Sequence, residues 1–115
     1  MDEHMFPDVT KDLAQKRREL APEIYSAFVA FGQRVFADGA LPSKTKQLIA
    51  VAVAHVTQCP YCIRGHTELA LKKGATEQEL MEAIWVAAEM RAGAAYAHSI
   101  LAIDAMHQAA AKPGA

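Results

Sequence analysis

Pro60 stands between two cysteines, in Cys59-Pro60-Tyr61-Cys62, and His66 follows four residues after the second. Proline lacks an N–H and fixes its own φ, so in this setting it fits the first turn of a helix. That reading puts Cys59 at or just before the N-cap, with Cys62 in the first turn. His66 then shares a helix face with Cys62. Free backbone N–H groups and the positive end of the helix dipole favour a thiolate at such a start. An imidazole one turn away can take up or return a thiol proton.

The chain has 115 residues and no further cysteine. Two thiols at this spacing either close a disulfide within one turn or hold a soft metal. In the metal reading Cys59, Cys62 and His66 supply three ligands and His55 or His98 a fourth. A second cysteine knuckle, usual for structural zinc, is missing, so this reading ranks below redox chemistry, and no metal or cofactor is expected. The plainest alternative makes both cysteines small apolar fillers and His66 a surface residue. It requires spacing, helix start and histidine to coincide by accident.

The rest of the chain reads as helices. Residues 1–9 form a polar lead containing Pro7, and Thr10 caps a helix from about Lys11. Pro22 opens a second helix that carries Ile24, Phe28, Phe31 and Val35 at helical steps and stops at Asp38-Gly39. Ser43 reads as the N-cap of a helix to Thr57 whose apolar residues wrap almost all round it. Such a helix must be central and buried. The helix from Pro60 runs to about Lys73, with favourable charge from Lys72-Lys73 and a stop at Gly74. Thr76-Glu77-Gln78-Glu79 is a capping box. It opens a long helix that Gly93 kinks or breaks before a continuation toward Ala111. Residues 112–115 are a fraying tail. No segment alternates as a strand does, so the expected fold is one all-α domain.

The formal net charge of −1 offers no field for nucleic acid, and Lys16-Arg17-Arg18 reads as a solvated face. No apolar run has the length of a membrane span. The acidic start lacks a signal-peptide pattern, and a cytoplasmic location is expected. Hydrophobic residues make up 52% of the chain, much of it alanine. That is more apolar surface than a small monomer buries, so a homo-oligomer is expected. Trp85 reads as a core or subunit-contact anchor, and His55 first as a satisfied core histidine and second as a residue lining the site. His98 and Tyr96 line the site or pack an interface.

The stretch Lys46 to His66, KQLIAVAVAHVTQCPYCIRGH, resembles the core of the carboxymuconolactone decarboxylase / alkylhydroperoxidase D-like family. Thr67-Glu68, the Lys73-Gly74-Ala75-Thr76 turn and the helix with Glu82-Ala83 and Ala87-Ala88 fit it too, so the likeness spans about residues 22–103. The resemblance implies a helical bundle that assembles as trimers or hexamers. It also implies thiol–disulfide exchange and reduction of a hydroperoxide, driven by a thiol reductant that the sequence does not identify. In redox-active members the cysteine matching Cys62 attacks peroxide, the one matching Cys59 resolves it, and the histidine matching His66 relays protons. Those members carry a glutamate twelve residues before the first cysteine, where this chain has Gln47. Glutamine can orient His66 or a water but cannot take a proton as a carboxylate does. Glu68, or Glu82 or Glu89 from the next helix, is the candidate replacement acid. The substitution also keeps open a non-catalytic or redox-sensing oligomer. Lactone decarboxylation belongs to members without the thiol pair and ranks low.

Overall fold

The computed structural model describes residues 5–112, which form five α-helices and no strand. They are α1 (Lys11–Leu20), α2 (Pro22–Phe36), α3 (Ser43–Thr57), α4 (Pro60–Lys72) and α5 (Glu77–Ala111). None is long and apolar enough to cross a membrane. The expectations for residues 1–4 and 113–115 lie outside the described residues.

Most starts follow from local chemistry. Thr10 Oγ1 accepts from the Leu13 N–H at 3.3 Å, and Pro22 occupies the first turn of α2. At α5 the Thr76 hydroxyl accepts from the Glu79 N–H at 3.0 Å, and the Glu79 carboxylate accepts from the Thr76 N–H at 2.8 Å. That backbone bond first, and then Lys44 at 2.9 Å, hold the Glu79 carboxyl below its ordinary range. Gly74, at φ +92°, takes the left-handed position that ends α4.

Three expectations are corrected. Ser43 does not cap α3; it is the first helical residue, and its N–H donates to Asp38 Oδ1 at 2.6 Å. A carboxylate from the preceding turn satisfies the helix start instead, a bond worth about 1 kcal/mol. Gly93 does not break α5, which runs for 35 residues without interruption. A single glycine costs about 1 kcal/mol against alanine, and here its neighbours are strong helix formers. Nor is α3 buried all round. It packs against α2, α4 and α5, but only Ser43, Gln47, Val51 and Ala54 are fully buried, while Ile49 and Val53 are about half exposed.

The core is correspondingly small: Val51, Ala70, Ala75 and Leu80, with Leu48 and Ile84 packed against it. The chain exposes 9459 Å², where a compact monomer of its mass exposes about 6,200 Å². Its radius of gyration is 20.6 Å, against about 13 Å for a compact chain of this length. Unpartnered apolar side chains line α2 and the distal half of α5, among them Phe28, Phe31, Ile100 and Leu101. Trp85 is 67% exposed, so the core half of its expected role is wrong.

Candidate active site

Only Gln58 and Cys59 separate α3 from α4. Gln58 ends α3 in the left-handed region, φ 59° and ψ 44°, although it is not glycine. Such a residue costs roughly 1–2 kcal/mol. The turn is held by the Gln58 and Cys59 N–H groups, both donating to Ala54 O, and it delivers Cys59 directly to the N-cap of α4.

Cys59 Sγ accepts from the Cys62 N–H at 3.2 Å, as a capping side chain does. The two sulfurs lie 2.6 Å apart as free, half-buried thiols. Disulfide closure to about 2.05 Å therefore needs little movement. The hydrogen bond from the Cys62 side chain, then that from the Cys62 backbone, lowers the Cys59 pKa. The Cys62 thiol is raised by the same side-chain bond, by burial and by the charge on Cys59. Of the two, Cys59 is the thiol that ionises more readily and Cys62 the one that holds its proton longer. Iodoacetamide at pH 7 should thus label Cys59 ahead of Cys62 in the reduced protein, with its labelling rate inflecting below the ordinary thiol range. First labelling at Cys62 would reverse this order.

His66 projects from α4 one turn beyond Cys62 and reaches back to α3. Its Nδ1 lies 2.8 Å from Gln47 Oε1, and Gln47 is only 4% exposed. An amide oxygen accepts only, so the proton is assigned to Nδ1 and the neutral ring keeps Nε2 free as a base. Phe36, from the end of α2, stacks on the imidazole with centroids 5.2 Å apart. Cys62 and His66 line one cavity of about 410 Å³ whose other walls are largely apolar, including Val35, Phe36, Ile49 and Val53. Lys46 stands at this cavity with its ammonium donating to Ala37 O at 2.6 Å.

The remaining candidates are not gathered here. His55 Nδ1 donates to Val51 O at 2.7 Å within its own helix, which satisfies it as a half-buried side chain. Glu68, Glu82 and Glu89 are exposed, and none bonds to His66 among the described residues. Tyr96, 82% exposed, and His98 lie on the distal part of α5. Among the described residues no three His, Cys, Asp or Glu side chains assemble as a metal-ligand set. Two features escaped the sequence reading. Phe36 belonged to a helical apolar run with nothing to mark it as a ring partner. The segment 5–9, read as a polar lead, instead packs on the cysteine turn: the Tyr61 hydroxyl donates to Pro7 O at 2.8 Å, and Phe6 meets the Tyr61 ring edge-on.

The chain is 56% identical over 103 residues to a Paracoccus denitrificans protein named as uncharacterized protein 4 in the cox locus, covering 90% of this chain and 92% of that one. It is 39% identical over 89 residues to an uncharacterized protein of Cupriavidus necator, covering 75% and 79%. A carboxymuconolactone decarboxylase family protein from Legionella pneumophila has a crystal structure that superposes with a TM-score of 0.65 at 42% identity, over 70% of this chain and 75% of that one. A crystal structure of a Methanobacterium thermoautotrophicum protein gives 0.68 at 41% identity, over 72% and 93%. The sequence pattern of one family runs through residues 22–105, from the start of α2 deep into α5, and by that match the chain belongs to the carboxymuconolactone decarboxylase family.

Proposed function

We propose that the chain is a thiol-dependent peroxidase-type oxidoreductase built on the Cys59–Cys62 couple. The observation that carries this reading is the shared cavity: a thiol that needs a base, Cys62, lines it together with His66, whose free nitrogen can serve as one. In the first step His66 takes the Cys62 proton, and the thiolate attacks the distal oxygen of a hydroperoxide. The O–O bond breaks, Cys62 becomes a sulfenic acid, and the imidazolium returns its proton to the leaving alkoxide. In the second step the Cys59 thiolate attacks the Cys62 sulfur. The sulfenic oxygen leaves as hydroxide, which takes a proton from solvent to become water, and the disulfide forms. Two electrons from an external thiol then restore the pair.

Cys59→Ser should trap a sulfenic acid at Cys62, read by a sulfenic-specific probe and mass spectrometry. A sulfenic acid found instead in Cys62→Ser, at Cys59, would exchange the two roles; the lowered pKa of Cys59 favours that exchange. Native thiols inert to oxidant in both variants would sink the dithiol reading.

Gln47 favours a second reading, a redox sensor that forms its disulfide once without turnover. Peroxide consumption in excess of protein, driven by a dithiol, separates the two. The excess of exposed surface, roughly 3,000 Å² beyond a compact monomer, supports a homo-oligomer, trimer or hexamer by family resemblance. Sedimentation at micromolar concentration should give no monomer, and a clean monomer would remove this part of the proposal.

A further inference from the structure

The two sulfurs touch, yet they face different clefts. Cys62 opens to the cavity that holds His66. Cys59 lines a second cleft of about 480 Å³, formed with Pro7, Val9, Leu13, Ala14, Arg17 and Tyr61. One wall of this cleft is the turn that starts α4. The other is α1 with the segment before it, fastened by the Tyr61–Pro7 hydrogen bond. Asp8 also borders the cleft, with its carboxylate 3.8 Å from the Arg64 guanidinium. The Arg17 guanidinium makes no hydrogen bond or ion pair among the described residues. Residues 7–17 lie ahead of the family match, which begins at 22.

We infer that the Cys59 cleft is the site of the reducing thiol, and that it takes a small aliphatic thiol bearing a carboxylate. This rests on the dithiol reading above. The chemistry explains the side. A thiolate R–S⁻ entering the cleft attacks Cys59 Sγ; an R–S–Cys59 bond forms and the Cys59–Cys62 bond breaks. The electron pair leaves on Cys62, which then takes a proton from solvent by way of His66 in the same cavity. A second R–S⁻ attacks the sulfur of R, giving RSSR and freeing the Cys59 thiolate. Two thiols are thereby oxidised and one disulfide reduced, and the oxidant cavity stays clear of the reductant. The volume falls within the roughly 300–1,000 Å³ of small-molecule sites. Val9, Leu13 and Ala14 suit an aliphatic chain, and Arg17 suits a carboxylate.

The test uses the full chain, oxidised with diamide until both thiols are lost. It is then challenged with 3-mercaptopropionate, quenched in acid, alkylated and mapped by tandem mass spectrometry. The adduct is expected on Cys59 and the alkyl group on Cys62. In Arg17→Ala the rate of reduction by 3-mercaptopropionate, relative to neutral 2-mercaptoethanol, should fall about fivefold, the scale of an exposed ion pair, and Arg17→Lys should restore most of it. Circular dichroism checks that each variant is folded. An adduct on Cys62, or a ratio unchanged in Arg17→Ala, overturns the inference and leaves the dithiol reading standing. Failure of diamide to form the disulfide overturns both.

Discussion

His66→Ala should lower dithiol-driven peroxide consumption by roughly 10²–10⁴-fold at pH 7, the usual contribution of a positioned proton-transfer group. The reason lies in which thiol holds its proton longer. Cys62 does, because the Cys59 sulfur, burial and the Cys59 charge all raise the Cys62 thiol. A raised thiol is poorly ionised at neutral pH and needs a base to attack. His66 is the imidazole at that cavity, fixed by Gln47 on one side and stacked on Phe36 on the other. With the base gone, only spontaneously ionised Cys62 reacts. The variant's rate should then climb about tenfold per pH unit through the neutral and mildly alkaline range, because thiolate accumulates only as pH approaches a raised pKa. The native profile should be flatter there. The pH profile separates loss of a base from mere disturbance of the fold, since a structural defect would lower the rate without steepening it. A loss smaller than tenfold would assign the proton transfer to another group.

Much of this arrangement is legible in the sequence. Thr10, Pro22, Pro60 and the Thr76–Glu79 box act through neighbours one turn away, so local sequence reveals them. The cysteine pair and His66 share one helix and are legible for the same reason. Gln47 was flagged from family resemblance, and α3 packing on α4 brings it to His66 across 19 residues of chain. What stayed hidden depends on contacts between elements. Asp38 replaces Ser43 at the start of α3 because the α2–α3 turn folds its carboxylate back. Ile49 and Val53 look like core by composition, yet in one chain they border the cavity and solvent. Tyr96 and His98 read equally as site-lining or interface residues, and the unbroken α5 carries them onto its exposed distal half. Pro7 and Phe6 carried no polar signal, and their partner, Tyr61, lies more than fifty residues away.

Gln47→Glu should raise peroxide turnover, by tenfold or more on the scale of a positioned acid–base group. In the native chain the buried Gln47 carbonyl orients the ring, accepting from Nδ1, but it neither carries charge nor exchanges a proton. A carboxylate at the same 2.8 Å would hold the imidazolium that forms when Cys62 gives up its proton. An opposite charge at hydrogen-bond distance favours a charged form by about 1–3 pKa units, so His66 would become the stronger base. The same substitution carries a cost. A carboxylate at a position only 4% exposed is desolvated, and unless His66 is charged it lacks a cation in contact. The variant should therefore melt at a lower temperature than the native protein while turning over faster, a pairing that a general stabilisation cannot produce. In the double variant with His66→Ala the gain should vanish, because the carboxylate acts only through the ring; a double-mutant cycle measures this coupling. A gain that persists without His66 would show the carboxylate acting on Cys62 or peroxide by another route. No gain in the single variant would mean that Gln47 already positions His66 as well as the reaction requires, and that base strength does not limit the first step.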